Sequence, residues 1–318
     1  MLARVFAFVT AEEASMDAFV SVSAGSRYQR QLDVYLASLL QKRFTKPEWC
    51  VLAVAGGVPV ARAALWALPD HEVPTDIVLV EADWNDEELV AGRALLSRVH
   101  DLAAANGTEA LSHHVDSPPG PPQYQENEEA RIRTLVESGY ELLRDGLRWS
   151  HTGPSAQDDR PAPALVFRSL PEVGEEAFVE AIASTYRRTQ DSWISLSIEN
   201  HGVLGAARAD FRDYQGLEHS PEWWELAYTE DDTLAGVIIG ARNPSKAVVA
   251  YVGVVPEQRG RGLAARLVRR CTEQLVASGS DEIGGDCDRD NVAMVKAFER
   301  AGFERVARRR SYRRGIAA

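Results

Sequence analysis

Apolar and polar positions alternate along the chain with two different periods, which predict a succession of strands and helices. The most regular stretch begins with a nearly continuous apolar, β-branched segment from Ala247 to Val255, followed by Pro256. Such a segment is typical of a strand covered on both faces, and the proline ends it because proline lacks a backbone donor. After Gly262, apolar side chains recur three and four positions apart, which predicts an amphipathic helix with one face on a core.

The first half of the chain shows the same order of elements. An apolar strand from Ile77 to Ala82 is followed by an amphipathic helix that ends at Asn106-Gly107. A strand from Glu109 to Val115 and a helix that stops at Gly139-Tyr140 complete the series. The pattern therefore predicts an internal repeat, with the segment 247–303 as its second copy.

The repeat and the composition between its copies predict two domains. Alignment of Gly107 with Gly279 relates the copies by a constant offset, although few residues are identical. Residues 151–163 are rich in proline, glycine and aspartate and are typical of a linker. We expect a first domain at 1–150 and a second at 164–318, each of the α/β class with a mixed sheet.

The turn between the strand and the helix of the second copy is rich in arginine and glycine. It reads Gln258-Arg259-Gly260-Arg261-Gly262-Leu263-Ala264, which directs several backbone N–H groups one way at the positive end of a helix. With the guanidinium groups of Arg259, Arg261 and Arg266, these amides predict an anion site suited to a pyrophosphate. The alternative is an ordinary solvated basic turn. The spacing fits neither a Walker loop nor a dinucleotide fingerprint.

Two motifs in this half resemble those of one family. Arg259-x-x-Gly262-x-Ala264 after an apolar strand looks like the acyl-coenzyme A signature of the GNAT acetyltransferase superfamily. At the expected distance, Asp288-x-Asp290-Asn291-x-x-Met294-x-x-Phe298-x-x-x-Gly302-Phe303 is similar to the next segment of that family. The resemblance implies tandem GNAT-like domains, of which the second binds acetyl-CoA as a cosubstrate.

The resemblance also implies how the cosubstrate is held. Backbone amides near Val254 and Val255 would hold the thioester arm, the turn from Arg259 to Ala264 would take the pyrophosphate, and Asn291 would contact the arm. The residues expected to contact acetyl-CoA are Val254, Val255, Arg259, Gly260, Arg261, Gly262, Leu263, Ala264, Asn291 and Phe298.

The catalytic groups depart from the pattern of the family. Acetyl transfer to an amine requires a neutral amine and a proton for the leaving thiolate. The tyrosine that usually supplies this proton falls at Phe298, and the strand 247–255 lacks the carboxylate that some members carry. Tyr251 on that strand, Cys287 at the end of the next strand and Tyr312 in the last strand are substitutes, although each residue type is also common in a core.

The first copy differs in charge where the second has its basic turn. Asp86-Glu87-Glu88 occupies the corresponding place. Carboxylates at the start of a helix stabilise the helix through its dipole. They would repel a pyrophosphate, each like-charge pair by on the order of 1 kcal/mol. We therefore expect the first domain to be degenerate and not to bind the cosubstrate, so that one acetyl-CoA binds per chain.

Composition limits the function further. The chain has 318 residues and a net charge of -12, which argues against a nucleic-acid partner and favours cationic small molecules such as amines. No apolar run reaches the ~20 residues of a membrane helix. Three scattered cysteines argue against disulfides and a zinc site, and no export signal is evident, so we expect a cytoplasmic protein without a metal.

These observations predict an N-acetyltransferase that moves an acetyl group from acetyl-CoA to a primary amine of a small molecule, by direct attack in a ternary complex. Two alternatives remain open. One is a non-catalytic acyl-CoA binder or regulator, because the usual acid and base are missing. The other is acetylation of a protein or peptide amine. The sequence predicts neither the identity of the acceptor nor the oligomeric state.

Overall fold

The computed structural model describes residues 5–23, 26–69, 71–84, 86, 88–153 and 163–316. The chain divides into two compact units, each of which combines helices with a mixed sheet. Unit 1 comprises residues 1–143 and 309–318, and unit 2 comprises residues 144–308. The predicted α/β fold class is confirmed.

In its described residues, unit 1 contains a sheet in the order β1-β2-β3-β4-β5-β12 and four α-helices. Its strands are β1 (Ala7–Thr10), β2 (Cys50–Ala55), β3 (Val58–Trp66), β4 (Asp76–Glu81), β5 (Ala110–Ser117) and the last residues of β12 (Glu304–Gly315). Its helices are α1 (Met16–Ser21), α2 (Gln29–Gln41), α3 (Val90–Ala105) and α4 (Glu128–Glu137).

The part of unit 2 that the structure describes contains a sheet in the order β6-β11-β10-β9-β8-β7 and five α-helices. Its strands are β6 (Glu141–Thr152), β7 (Val166–Ser169), β8 (Trp224–Tyr228), β9 (Leu234–Arg242), β10 (Ala247–Val254) and β11 (Glu282–Asp288). Its helices are α5 (Leu170–Val173), α6 (Glu175–Tyr186), α7 (Ser192–Gln215), α8 (Leu263–Ala277) and α9 (Val292–Arg300).

The units do not follow chain order at their ends. Strand β6, most of which lies within the predicted first domain at 1–150, pairs antiparallel with β11 of unit 2, for example Leu147 with Cys287. The chain from Arg309 onward belongs to unit 1, where the Arg309 guanidinium donates to both carboxylate oxygens of Asp116 at 2.8 Å. The compact units therefore divide at 143/144 and 308/309 rather than at the predicted 150 and 164. Residues 154–162 of the predicted linker lie outside the described residues.

The sheet of unit 2 is covered on both faces. Ile238 of β9 contributes to one buried cluster, with α8 and α9, while its neighbours Val237 and Ile239 contribute to another, with α6 and α7. Alternate residues of a strand point to opposite faces. The continuous apolar runs of the sequence therefore correspond to strands buried on both sides, as the pattern predicts.

The region between Thr189 and Glu218 is more regular than its pattern suggests. Asp191 caps the start of α7, because its Oδ1 atom accepts from the backbone N–H groups of Trp193 and Ile194 at 2.9 and 3.0 Å. Gly202, at φ 68° and ψ 168°, then interrupts the helix. The apolar stripe is weak because residues 191–198 are all partly exposed rather than buried. Nowhere in the described ranges is a helix both long and apolar enough to cross a bilayer.

Candidate functional site

Strands β10 and β11 pair only at one end. Their parallel pairing covers Ala247 with Ile283 and Val248 with Gly284, although β10 continues to Val254. On its other edge, β10 pairs with β9 along its length, with an irregularity between Val249 and Tyr251. A bulge of this kind bends a strand and increases its twist. The second half of β10 therefore lies beside a split in the sheet.

One of the two predicted backbone donors faces this split. The Val255 N–H donates to the carbonyl of Ala235 at 3.0 Å, so it is engaged with the β9 side. Residues of an antiparallel pair direct their N–H and C=O groups alternately to either edge. Val254 therefore directs its N–H away from β9 and toward the split.

The turn after β10 is an uncapped helix start built on two glycines. Gly260 and Gly262 have φ values of 78° and 76°, a conformation that other residues adopt only with strain. A Cβ atom at either position would meet no atom within 4 Å, so the turn is open. No side chain caps α8, and the first amides of a helix, from Leu263 and Ala264 onward, lack an intrahelical partner. This is the geometry of an anion site.

Arg259 has a different role from the predicted one. Its guanidinium donates to four backbone carbonyls, at distances from 2.8 to 3.0 Å, instead of projecting free beside the turn. The acceptors are the carbonyls of Val254, Thr185, Arg187 and Arg188. Arg259 thus fastens the glycine turn to the end of β10 and to the chain that follows α6.

Arg261 of the turn and Arg266 in the first part of α8 each donate a hydrogen bond to another described residue. Arg261 donates to the side chain of Gln258, and Arg266 donates to the carbonyl of Pro163. Arg261 is exposed and Arg266 is partly exposed. Their charges therefore lie near the uncapped end of α8.

Three tyrosines meet on the α6–α7 side of β10. The ring of Tyr251 lies 5.9 Å from that of Tyr186, edge-on, and 6.1 Å from that of Tyr214, nearly parallel. Its hydroxyl lies 2.6 Å from Thr185 Oγ1. A Cβ atom at Gly253 would lie 2.4 Å from this hydroxyl and 2.7 Å from Thr185 Cβ, so the close packing requires glycine there.

Two carboxylates accompany these rings. Asp210 accepts a hydrogen bond from the Tyr186 hydroxyl and another, at 3.4 Å, from Ser197. Burial raises the pKa of Asp210, and the nearby charges of Asp213 and Asp191 raise it further. Burial likewise raises the pKa of Asp191. We call the set Tyr186, Asp191, Asp210, Tyr214 and Tyr251 the Tyr–Asp cluster.

Four members of the cluster keep part of their surface exposed. Tyr251, Tyr214, Asp191 and Asp210 are intermediate in exposure, and only Tyr186 is buried. Burial raises the pKa of Tyr251, which therefore remains a protonated phenol in the neutral range. The cluster thus forms a wall of negative charge and aromatic faces that solvent reaches.

The sequence did not predict that these five residues would lie together. They are scattered through a region with a weak helical pattern, and the pairing of Asp210 with Tyr186 joins two helices. One usable signal was the spacing of Asp210 and Tyr214, because residues four apart share a helix face.

The other two predicted catalytic residues lie in cores. Cys287 is 3% exposed, and its Sγ atom accepts from Trp149 Nε1 at 3.3 Å. Burial raises the pKa of this thiol to about 11, so it stays neutral. Tyr312 is 4% exposed and belongs to the core of unit 1, not to the unit that contains Tyr251. The structure therefore does not bring the three residues together in one unit.

Phe298 and Asn291 also have structural roles. Phe298 is 2% exposed and stacks on Trp149 at 5.6 Å, so the predicted contact with the cosubstrate has no accessible ring surface. Asn291 caps α9, with its Oδ1 atom accepting from Met294 N–H at 3.2 Å. Asn291 remains partly exposed, which leaves part of its side chain open to solvent.

The end of β11 is fixed by a buried ion pair. Asp288, 6% exposed, accepts from the guanidinium of Arg144 and from the backbone N–H of Ser192 at 2.9 Å. The same guanidinium lies 3.5 Å from Asp191. Asp288 therefore positions the start of α7. Across the described ranges, no group of three or more His, Cys, Asp and Glu side chains is arranged to hold a metal ion.

Comparison with known proteins bears on unit 2 first. Residues 179–303 match the model of the acetyltransferase (GNAT) family. An acetyltransferase from Yersinia pestis strain Pestoides F is 31% identical over 88 residues, which cover 28% of this chain and 62% of the relative. An acetyltransferase from Sodalis glossinidius is also 31% identical over 88 residues, 61% of its length. The chain thus spans less than two thirds of these relatives.

Two solved structures resemble nearly the whole chain. A GCN5-related N-acetyltransferase from Sphaerobacter thermophilus has a TM-score of 0.63 at 18% identity, covering 98% of this chain and 96% of that one. A tandem GNAT protein from the clavulanic acid biosynthesis pathway has a TM-score of 0.55 at 17% identity, covering 99% of both chains. At these identities the likeness concerns the fold.

Proposed function

We propose, since residues 179–303 match the model of the GNAT family, that unit 2 transfers an acetyl group from acetyl-CoA to a primary amine of a small molecule. The observation that carries this proposal is the split between β10 and β11 beside the uncapped start of α8. Acetyl-CoA supplies the acetyl group as a thioester at the end of a long arm that begins at a pyrophosphate.

The residues present fit such a ligand. The open turn at Gly260 and Gly262, with the amides of Leu263 and Ala264, suits a pyrophosphate in size and charge. The N–H of Val254 suits an acceptor group of the arm inside the split. Arg261 and Arg266 add positive charge near the phosphates, while Arg259 holds the turn in place.

The Tyr–Asp cluster suits an amine as the acceptor. Its carboxylates and tyrosine faces both attract a cation, and the net charge of -12 favours the approach of one. Before it attacks, the ammonium group must lose a proton. Asp210 is the proposed proton acceptor, because its raised pKa makes it a better base than an ordinary aspartate.

Tyr251 is the proposed proton donor for the leaving thiolate. It lies on β10 beside the split, and it is protonated in the neutral range. Of the three residues predicted from the sequence, it alone is both in unit 2 and partly exposed. The bond that forms joins the acceptor nitrogen to the acetyl carbon, and the bond that breaks is the thioester C–S bond.

One observation favours a second candidate, a non-catalytic acyl-CoA binder. The position of the usual acid of the family holds Phe298, which is buried in the core. Calorimetry with acetyl-CoA combined with a thiol-release assay on a panel of small amines and peptide amines separates the two. We expect one acetyl-CoA per chain and thiol release with a small amine. Binding without release across the panel would support the binder, release only with peptide amines would change the acceptor class, and absence of binding would contradict both.

A further inference from the structure

Unit 1 contains a split equivalent to that of unit 2. Strands β4 and β5 pair in parallel at Asp76 and Ser112 alone. The offset of the sequence alignment carries this pair onto Val248 and Gly284, which are paired in unit 2. In unit 1 the neighbouring strand β3 also shows an irregularity opposite β4, as β9 does opposite β10. The two splits therefore occupy the same place in the two copies.

The first copy carries an insertion directly after this split. Gly107 and Gly139 are 32 positions apart, whereas their counterparts Gly279 and Gly302 are 23 positions apart. Seven of the nine additional residues fall between β5 and α4, in the segment 118–127, and the other two lengthen β5 and α4 by one residue each. In unit 2 the connection from β11 to α9 is only residues 289–291.

Two glutamines of this segment bond to both edges of the split. Gln123 Oε1 accepts from the backbone N–H of Leu79 on β4 at 2.8 Å. Gln125 Oε1 accepts from the N–H of Asp116 on β5 at 3.1 Å, and Gln125 Nε2 donates to the carbonyl of His114 at 2.8 Å. Gln123 is 7% exposed and Gln125 is 2% exposed, so both amides are inserted into the unit.

Two further side chains bond to backbone groups beside the split. The imidazole of His113, neutral because burial lowers its pKa to about 4, donates through Nδ1 to the carbonyl of Ile77 at 2.7 Å. Arg131 donates to the carbonyl of Val80 on β4 and to the carbonyl of Glu126 in the inserted segment. Backbone groups on both sides of the split are therefore satisfied by the side chains of unit 1 itself.

We propose that residues 118–127 are an intramolecular substitute for the arm of acetyl-CoA. The arm carries amide groups, and the side-chain amides of Gln123 and Gln125 present the same donors and acceptors to the diverging strands. Unit 1 thereby keeps its split filled without a cosubstrate. This goes beyond the repulsion by Asp86 and Glu88 at the start of α3, and it rests on the proposed function only for the identity of the arm.

Hydrogen exchange of the full chain tests the proposal at single amides. In Gln123→Ala with Gln125→Ala, we expect the amides of Leu79 and Asp116 to exchange about tenfold faster or more, because each loses its buried acceptor. Pantetheine, which has the arm without the nucleotide, should restore protection in the double variant and leave unit 1 of the wild type unchanged. Unchanged exchange in the double variant, or no restoration by pantetheine, overturns the proposal.

A matched pair covers the case in which the double variant fails to fold. Gln123→Glu keeps an oxygen acceptor for the Leu79 N–H and should exchange like the wild type at that amide, whereas Gln123→Ala should not. Equal exchange in the two variants overturns the proposal. Acetyl-CoA binding measured on the same samples should be unaffected by all of these changes. If the wild type did not bind acetyl-CoA, the proposed function would be contradicted. The comparison of hydrogen exchange between the variants would still hold.

Discussion

The ring of Phe298 lies directly against the backbone of Gly285. A Cβ atom at Gly285 would come within 2.5 Å of the ring atom Cε1 and within 2.7 Å of Cζ. Phe298, at the position where the resembled family carries a proton-donating tyrosine, is therefore a packed core residue. The phenyl ring fills the space left by a glycine and stacks on Trp149.

Restoring the tyrosine should for this reason not restore an acid. In Phe298→Tyr the new hydroxyl is attached to Cζ of a ring that is only 2% exposed, so it enters a packed core. We expect a loss of about 1–3 kcal/mol in the free energy of unfolding and no gain in kcat. Urea unfolding and steady-state kinetics check this. A higher kcat at unchanged stability would show that the ring reaches the reacting groups.

The glycine turn can be tested with two substitutions at one position. Gly262→Ala and Gly262→Glu both force a side chain into a φ of 76°, at about 1–2 kcal/mol of strain. Only the glutamate adds a negative charge beside the proposed pyrophosphate. We expect acetyl-CoA to bind Gly262→Glu at least about tenfold more weakly than Gly262→Ala.

Salt provides the control for this pair. Because the difference is electrostatic, it should shrink as ionic strength rises. Calorimetric Kd values at two salt concentrations give both comparisons. Equal Kd values for the two variants at low salt would refute the assignment of the turn to the phosphates.

Arg259 should act through its planar fork rather than through its charge. Arg259→Lys keeps the charge but cannot reach four carbonyls, so we expect it to lower the free energy of unfolding by about 1–3 kcal/mol. Acetyl-CoA should also bind more weakly, because the turn is no longer fixed. Arg261→Lys is the matched control for stability, since Arg261 donates to the side chain of Gln258 rather than to a set of backbone carbonyls, and it should change stability by less than about 1 kcal/mol. Equal losses in the two variants would contradict this role.

The sequence predicted those features that depend on local pattern. The strand that ends before Pro256 and the helix that starts at Leu263 lie where apolar spacing places them. The offset between the two copies also agrees with the strand register, because Asp76–Ser112 and Val248–Gly284 are equivalent pairs. The two motifs led to the GNAT family, which the match of residues 179–303 supports.

Features that depend on contacts distant in sequence were not predictable in this way. Strand β6 pairs with β11 of unit 2, and the alternation of apolar and polar residues along β6 does not indicate which strand it pairs with. The bonds from Arg259 to the end of α6 and the residues after it, and from Tyr186 to Asp210, each join separate elements. A basic residue in a glycine turn suggests a contact with a phosphate. In the folded chain, however, the guanidinium of Arg259 donates to backbone carbonyls, such as that of Val254.

Asp210→Asn should produce opposite changes in stability and activity. Because the pKa of Asp210 is raised in the folded state, its ionised form destabilises the fold at neutral pH, and this penalty disappears below the pKa of the unfolded chain. Asparagine still accepts from Tyr186. We therefore expect higher stability at pH 7, no gain at low pH, and a kcat/KM lower by about 10² to 10⁴-fold.

The pH dependence of kcat/KM distinguishes the ionisation of Asp210 from that of the amine substrate. In the wild type, kcat/KM should fall as pH drops through the raised pKa of Asp210. This limb should stay in place when the acceptor is exchanged for an amine of different pKa, whereas a limb due to the free amine would move. Asp210→Asn should remove the fixed limb. A destabilised variant with an unchanged profile would contradict the role of Asp210 as a base.

Tyr251→Phe tests whether Tyr251 is the proton donor. The hydrogen bond between Tyr251 and Thr185 shows where the phenolic proton lies. Thr185 donates its hydroxyl proton to the carbonyl of Ile182 at 2.7 Å, so Tyr251 must be the donor in the 2.6 Å contact with Thr185 Oγ1. The phenolic proton is therefore held by Thr185 until a better acceptor, such as a thiolate, arrives.

We expect Tyr251→Phe to lower kcat by about 10²-fold or more, with the Kd for acetyl-CoA unchanged. Thr185→Val is the matched control, because it removes the competing acceptor but keeps the size of the side chain. In that variant kcat should be maintained or higher. If Tyr251→Phe retained the wild-type kcat, the proton would have to come from another donor, and the hydroxyl of Tyr251 would serve only to pack β10 against α6.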